Sequence, residues 1–200
     1  DTYFYLYIKM ILDIAQIIIN YSKLDNQINC SQINKYFNNN LYVFYLAIKK
    51  SMNQQVIQQK IFSKLKMLNC YDNKEIYDVN HLKNTLKILI CFGTCGIDQS
   101  GISDLRYIEK LCCDCNNKIN NVNHLKNTLK ILYCSENCGI DQNGISELQY
   151  VEELRCSKNN KIYDASHLKN TAWVEMKQTC LFHLYTENII LRWMLWHRSK

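Results

Sequence analysis

The chain contains no proline and only five glycines among its 200 residues. Collagen-like, mucin-like and proline-rich linker sequences need far more of these residues, so all three classes are excluded. Hydrophobic residues make up 48% of the chain and charged residues 21%, which is enough apolar surface to form a core. We therefore expect a folded chain with one domain or two small ones.

Runs of basic residues are also missing, although the formal net charge is +6. The lysines and arginines are interspersed with acidic residues, whereas nucleic-acid-binding proteins cluster their cations on one face. The sequence thus predicts no nucleic-acid partner.

Catalytic signatures are equally scarce. The chain has no GxSxG element, no phosphate-binding glycine loop, no HExxH pair and no calcium loop. We therefore predict a protein without enzymatic activity, cofactor or small-molecule substrate.

The apolar stretch of residues 3–21 is not a continuous hydrophobic run. Polar residues recur in it at steps of four, three and four, which places them on one stripe of a helix: Lys9, Asp13, Gln16 and Asn20. Because a charged pair inside a bilayer is costly, we expect a helix of a water-soluble protein and no membrane partner. No small-residue cleavage site follows the stretch, so the sequence predicts a cytoplasmic location with reduced thiols.

An internal repeat dominates the rest of the chain. The ten letters NHLKNTLKIL occur at residues 80–89 and again at residues 123–132, an offset of 43 residues. CGIDQSGISDL at residues 95–105 recurs at the same offset as CGIDQNGISEL at residues 138–148. HLKNT occurs a third time from His167. Such periodicity predicts a repeated structural unit.

Each 43-residue unit divides into two related pieces with the pattern L-x-x-L-x-C-x-x-N-x-x-I, in which Thr94 replaces the Asn of one piece. Five such pieces follow one another, and their starts alternate between spacings of 21 and 22 residues: Leu65, Leu86, Ile108, Leu129 and Val151. The underlying unit is therefore one short coil of chain, and the longer period is a duplicated pair.

This pattern resembles the leucine-rich repeat, with signature L-x-x-L-x-L-x-x-N/C-x-L, in a short form of about 22 residues with Cys at the third Leu. The sequences of the paired pieces are similar to those of repeat proteins predicted in giant viruses of protists. The resemblance covers residues 65–171. It implies a ladder of asparagines that hydrogen-bond the backbone in the bend of each coil: Asn73, Asn116, Asn137 and Asn159.

The residues themselves indicate how a coil is built. In residues 130–135, Leu132 and Cys134 alternate with outward neighbours, which is the period-two pattern of a short strand. One such strand cannot bury its apolar side alone, so the coils must stack. Apolar residues three apart then favour 3₁₀ or irregular turns. The predicted fold class is an α/β leucine-rich-repeat solenoid of short parallel β-strands with a 3₁₀ or irregular convex side, flanked by helical caps.

Three regions follow from the repeat boundaries. Residues 1–64 are predicted to form a helical N-terminal cap or adaptor, with a second helical pattern from Val43 to Leu65. Residues 65–171 carry the five repeats. After Thr171 the expected Leu-Lys-Ile-Leu is absent, so residues 172–200 are predicted to form a divergent cap or tail in which the repeat register is lost.

Cysteine and histidine recur in the repeat without the spacing of a metal site. The inward cysteines are predicted to fill a narrow core layer: Cys70, Cys91, Cys113, Cys134 and Cys156. Cys95 and Cys138 precede glycine at the bend and are also expected to be structural, whereas Cys112 should face outward. The repeated histidines lie two coils apart, ~10 Å, which is too far to share a zinc ion. We predict no metal site.

The outward strand positions form the candidate functional surface. They combine an apolar patch with a charged rim, using residue types that are enriched at interfaces: Ile88, Ile90, Phe92, Lys110, Ile131, Tyr133, Glu153 and Arg155. We predict a protein-binding module whose partner docks on this surface. Three alternatives stay open: terminal helices cover the surface, the patch is sequence drift in a decaying array, or the chain is a substrate receptor of a ubiquitin ligase that residues 1–64 recruit.

Overall fold

The structure, a computed structural model, describes residues 42–47, 52–169 and 171–175. The helix predicted at residues 3–21 lies outside these ranges, as does the tail after residue 175. The adaptor role predicted for residues 1–64 therefore falls largely on residues outside the description.

Short strands in the described residues form one parallel sheet in which each strand pairs with the next along the chain. Each strand is three residues long: β1 Tyr45–Ala47, β2 Met67–Asn69, β3 Ile88–Ile90, β4 Lys110–Cys112, β5 Ile131–Tyr133, β6 Glu153–Arg155 and β7 Trp173–Glu175. Because spatial order equals chain order, successive coils stack in sequence, as in a solenoid. The predicted arrangement of short parallel strands in stacked repeats is confirmed at this level.

Between the strands the chain makes tight helical turns. They comprise one short α-helix and several 3₁₀ helices: α1 Gln54–Ile57, η1 Lys60–Phe62, η2 Asn80–Leu82, η3 Ser100–Ile102, η4 Asn123–Leu125 and η5 Asn143–Ile145. A 3₁₀ helix has three residues per turn, which suits apolar residues three apart. Leu82 in η2 and Leu125 in η4 are the buried members of their turns.

The sheet starts before the predicted boundary at residue 65. β1 pairs in parallel with β2, with Leu46 opposite Leu68, so the helical pattern predicted from Val43 to Leu65 begins with a strand and has its helical turns later, at Gln54–Ile57 and Lys60–Phe62. Val43 and Leu46 are buried and have the three-residue spacing of Leu65 and Leu68 one coil later. They therefore fill the same core positions one coil earlier.

The sheet also continues past the predicted boundary at residue 171. Val174 lies opposite Leu154, so β7 keeps the register that the sequence predicted to be lost. The backbone N–H groups of Ala172 and Trp173 both donate to the Glu152 carbonyl, at 2.9 and 3.1 Å. Strand pairing uses backbone groups, so β7 can form without the Leu-Lys-Ile-Leu sequence.

The core is a stack of equivalent apolar residues. The middle residue of each strand from β2 to β6 is buried: Leu68, Leu89, Leu111, Leu132 and Leu154. The inward cysteines that follow two residues later are buried as well. Burying a leucine side chain contributes about 1.5–3 kcal/mol, so the stacked layers supply much of the stability of the solenoid.

Buried asparagines hydrogen-bond the backbone in alternate coils only. Asn73, Asn116 and Asn159 are buried, and their side-chain amides donate to carbonyl oxygens of the preceding coil at 2.9–3.0 Å. Asn137, which the sequence prediction placed in the same ladder, is exposed, and Cys138 is buried beside it. The spacing from the inward cysteine to the following isoleucine is the same in both coils, but in this one Cys138 fills the buried place and the asparagine falls on the outside of the bend.

Candidate protein-interaction surface

The outward side chains of the strands stand in two columns, which together form the strand face. Strand pairing defines the first column as Tyr45, Met67, Ile88, Lys110, Ile131, Glu153 and Trp173. The second column is Ala47, Asn69, Ile90, Cys112, Tyr133, Arg155 and Glu175. Neighbouring residues within a column are ~4.8 Å apart along the sheet, so their side chains contact one another.

Seven of the eight residues predicted for partner binding belong to the two columns. Phe92, the eighth, lies two residues after the end of β3 and stacks on Tyr71, with ring centroids 4.2 Å apart. Arg155 is exposed, and the other seven residues are partly exposed. The structure therefore brings the predicted residues onto one side of the sheet.

Tyr133 is the centre of a charged cluster on this face. The Lys110 Nζ atom lies 4.7 Å from the centroid of its ring, and the Arg155 Cζ atom lies 4.4 Å from it. The Tyr133 hydroxyl donates to Glu153 Oε1 at 3.0 Å. Arg155 donates to the same oxygen through Nε at 2.8 Å. Its Nη2 atom forms an ion pair with that oxygen at 2.7 Å. We call these four residues the Tyr133 cluster.

The contacts in the Tyr133 cluster fix an aromatic side chain in one orientation. Each cation–π contact at an exposed site contributes about 0.5–1 kcal/mol, and Glu153 links the hydroxyl to the guanidinium. Partial burial and the hydrogen bond to Glu153 raise the pKa of Tyr133, so its hydroxyl stays protonated near neutral pH. A side chain that is already ordered loses less entropy when a partner packs against it.

Aliphatic side chains lie on one side of the cluster. Ile131 precedes Tyr133 by two residues on β5, and Ile88 and Ile90 lie on β3. All three are partly exposed, which leaves apolar surface next to the ring. Such an apolar patch rimmed by charges is typical of a protein-interaction site.

Cys112 belongs to an outward column, as predicted from the sequence, but it is only 6% exposed. It lies between Ile90 and Tyr133, which are larger side chains. Burial raises the pKa of Cys112 to about 11, so its thiol is protonated and unreactive near neutral pH. The described residues contain no group of three or more His, Cys, Asp or Glu side chains placed to hold a metal ion.

The repeated histidines lie away from the strand face and bind backbone instead. Their Nε2 atoms lie 3.0–3.2 Å from carbonyl oxygens of the preceding coil: His81 with Ile57, His124 with Ile102 and His167 with Ile145. Since a carbonyl oxygen only accepts, each ring donates its Nε2 proton. Burial lowers the pKa of His81 and His124, which favours the neutral rings that these bonds use.

Sequence reasoning missed the residues that β1 and β7 add to the strand face. Tyr45, Trp173 and Glu175 extend the columns at the two ends, and Tyr45 and Trp173 are exposed aromatic side chains. The signal for β1 was the three-residue spacing of Val43 and Leu46, which matches the start of every repeat. For β7 the sequence offers only Ala172-Trp173-Val174, in which Val174 takes the inward position.

No helix in the described part of the chain has the length and apolarity that a membrane span requires. Comparison of the sequence with protein-family models and with curated proteins gives no match.

Proposed function

We propose that this chain is a non-catalytic protein-binding module that docks a protein partner on the strand face, and that its coils are leucine-rich repeats of the short type. The observation that carries the proposal is the Tyr133 cluster, an ordered aromatic ring beside partly exposed isoleucines. Tyrosine and arginine are enriched among residues that dominate binding energy at protein interfaces.

The dimensions of the strand face support a macromolecular partner. Six inter-strand spacings of ~4.8 Å give a face about 29 Å long. This length equals that of a helix of about 20 residues. A helix or an extended segment of a partner could therefore contact several strands at once, with the Tyr133 cluster near one end of the apolar patch.

The assignment as leucine-rich repeats is supported by three features. Each repeat contributes one parallel strand, the two leucines and the cysteine of the pattern are inward, and Asn73, Asn116 and Asn159 hydrogen-bond the backbone. A cytoplasmic location belongs to the same proposal, because reduced cysteines such as the free thiols of this core are typical of that compartment.

Affinity purification with mass spectrometry tests the proposal. Wild type is compared with an Ile131→Asp/Tyr133→Asp variant and with Tyr77→Asp as the matched control, since Tyr77 is 58% exposed and lies outside the strand face. Circular dichroism first establishes that all three proteins are folded. We expect proteins captured by wild type and by Tyr77→Asp to be lost from the double variant. Equal capture by all three proteins, or equal loss from both variants, would contradict the proposal.

A further inference from the structure

Buried cysteines of neighbouring coils meet in two equivalent pairs. The Sγ atoms of Cys70 and Cys95 lie 3.5 Å apart, and those of Cys113 and Cys138 lie 3.8 Å apart. All four residues are 0% exposed. A disulfide bond is ~2.0 Å long, so each pair needs a sulfur displacement of less than ~2 Å to close. The arrangement occurs twice, 43 residues apart, so it belongs to the repeat itself.

The second cysteine of each pair has surroundings that favour its thiolate. The hydrogen bond from Cys70 lowers the pKa of Cys95, and the N–H groups of Ile97 and Gly96 and the charge of Lys118 act in the same direction, against burial. The Lys118 Nζ atom is held in place by the Cys95 carbonyl at 2.9 Å.

The Cys113–Cys138 pair repeats this environment. The hydrogen bond from Cys113 lowers the pKa of Cys138, with support from the N–H of Ile140 and from Lys161. The Lys161 Nζ atom donates to the Cys138 carbonyl at 3.1 Å. Each pair thus combines a sulfur that is stabilised as thiolate with a second thiol in contact with it.

We propose that Cys70–Cys95 and Cys113–Cys138 are two covalent modification sites, each of which is converted to a disulfide by an oxidant of the hydroperoxide class. The Cys95 sulfur attacks the O–O bond of hydrogen peroxide, becomes a sulfenic acid and releases one water, with the former thiol proton leaving in that water. The Cys70 thiol then attacks the Cys95 sulfur, forms the S–S bond and releases a second water. Cys138 and Cys113 react in the same roles.

Other cysteines of the repeat lack this combination. Cys91 and Cys134 are equally buried, but within the described residues they make no thiol–thiol hydrogen bond, and burial raises their pKa. Cys115 is exposed, but its thiol donates to Glu136 Oε2 at 2.9 Å, and this bond raises the pKa of Cys115 to about 11. Because the thiolate is the nucleophile, Cys95 and Cys138 are favoured over these three for the first attack.

Peptide mapping of the full wild-type chain tests the proposal. The folded protein is treated with hydrogen peroxide, free thiols are alkylated, and trypsin digestion is performed without a reductant. We expect peptide 67–74 to be linked to peptide 88–106, and peptide 111–118 to peptide 131–155, with fragment ions that place the bonds at the two pairs. Four alkylatable thiols per chain should be lost.

Matched variants locate the bonds independently. Cys91→Ala leaves Cys95 as the only thiol of peptide 88–106, and this variant should keep the first linkage. Cys95→Ala should lose that linkage, leave Cys70 open to alkylation and keep the second linkage. Three outcomes would overturn the proposal: bonds that join Cys91 or Cys134, bonds that form only in denaturant, or paired thiols that survive peroxide levels at which Cys115 is oxidised. The wild-type map decides the question even if a variant fails to fold.

Discussion

The side-chain amide of Gln99 donates to the carbonyl oxygen of Asn121 at 2.9 Å, and its oxygen accepts the N–H groups of Asn120 and Asn121 at 3.0 Å each. Gln54 and Gln142 make the same three bonds to the coils that follow them. One glutamine in every second coil thus satisfies three backbone groups of the next coil.

Gln99→Ala should destabilise the chain by about 2–3 kcal/mol, because it removes three hydrogen bonds that contribute about 1 kcal/mol each. Gln149→Ala is the control, since Gln149 is exposed and a surface substitution changes stability by no more than about 0.5 kcal/mol. Urea unfolding followed by circular dichroism measures both. Equal changes in the free energy of unfolding for the two variants would show that the hydrogen bonds of the Gln99 side chain contribute nothing to stability.

Asn116 and Asn137 have the same place in the sequence pattern and should differ in importance. The Asn116 amide donates to the carbonyl oxygens of Cys91 and Ile97 at 3.0 Å, within the buried bend. Asn116→Ala would leave both carbonyls without these bonds, and we expect a loss of about 2–4 kcal/mol. Asn137→Ala should cost less than about 0.5 kcal/mol, because Asn137 is exposed. Thermal unfolding of the two variants side by side tests this, and a similar loss in both would contradict the structure.

The histidines make stability depend on pH. Burial lowers the pKa of His81 and His124 in the folded chain below the usual value of 6.5. The unfolded chain therefore binds more protons, and the free energy of unfolding should fall as the pH drops through and below 6.5. In His81→Gln/His124→Gln the side chains can still donate but do not titrate, so the decline between pH 7 and pH 5 should become shallower. An identical slope in wild type and variant, from urea unfolding at each pH, would refute the assignment.

Gly144 lies where two neighbouring coils approach each other closely. A Cβ atom added there would overlap the backbone carbonyl oxygen of Asn120, which cannot move without disturbing the preceding coil. We expect Gly144→Ala to destabilise the chain by about 3 kcal/mol or more. Ser146→Ala, two residues later and exposed, is the control. Thermal unfolding measures both proteins, and a glycine variant as stable as the serine variant would mean that the coils are further apart than described.

The strand register could be predicted from the sequence because the inward leucines and cysteines recur at 21 and 22 residues, and a one-residue slip would expose them. The exposure of Asn137 could not, since Cys134 and Ile140 have the same spacing as Cys113 and Ile119, and the pattern does not show that Cys138 takes the buried place. β1 was missed because the three-residue spacing of Val43 and Leu46 also fits one face of a helix. β7 was missed because strand pairing uses backbone groups that any sequence supplies. The thiol pairs were missed because cysteines were compared only at equal repeat positions, whereas Cys70 meets Cys95.

Coils of two kinds alternate along the solenoid, and so do the contacts between them. Asn116 reaches back to the coil before it and Gln99 reaches forward to the coil after it, so one junction carries both amides. The next junction carries the thiol contact of Cys113 with Cys138. Removing or copying a single coil would place two coils of the same kind next to each other, and neither kind of junction could form between them. Removing residues 88–130, which is one coil of each kind, would preserve both kinds of junction. The array therefore keeps both kinds of junction when it grows or shrinks in steps of 43 residues, which is the offset at which segments 80–89 and 123–132 are identical.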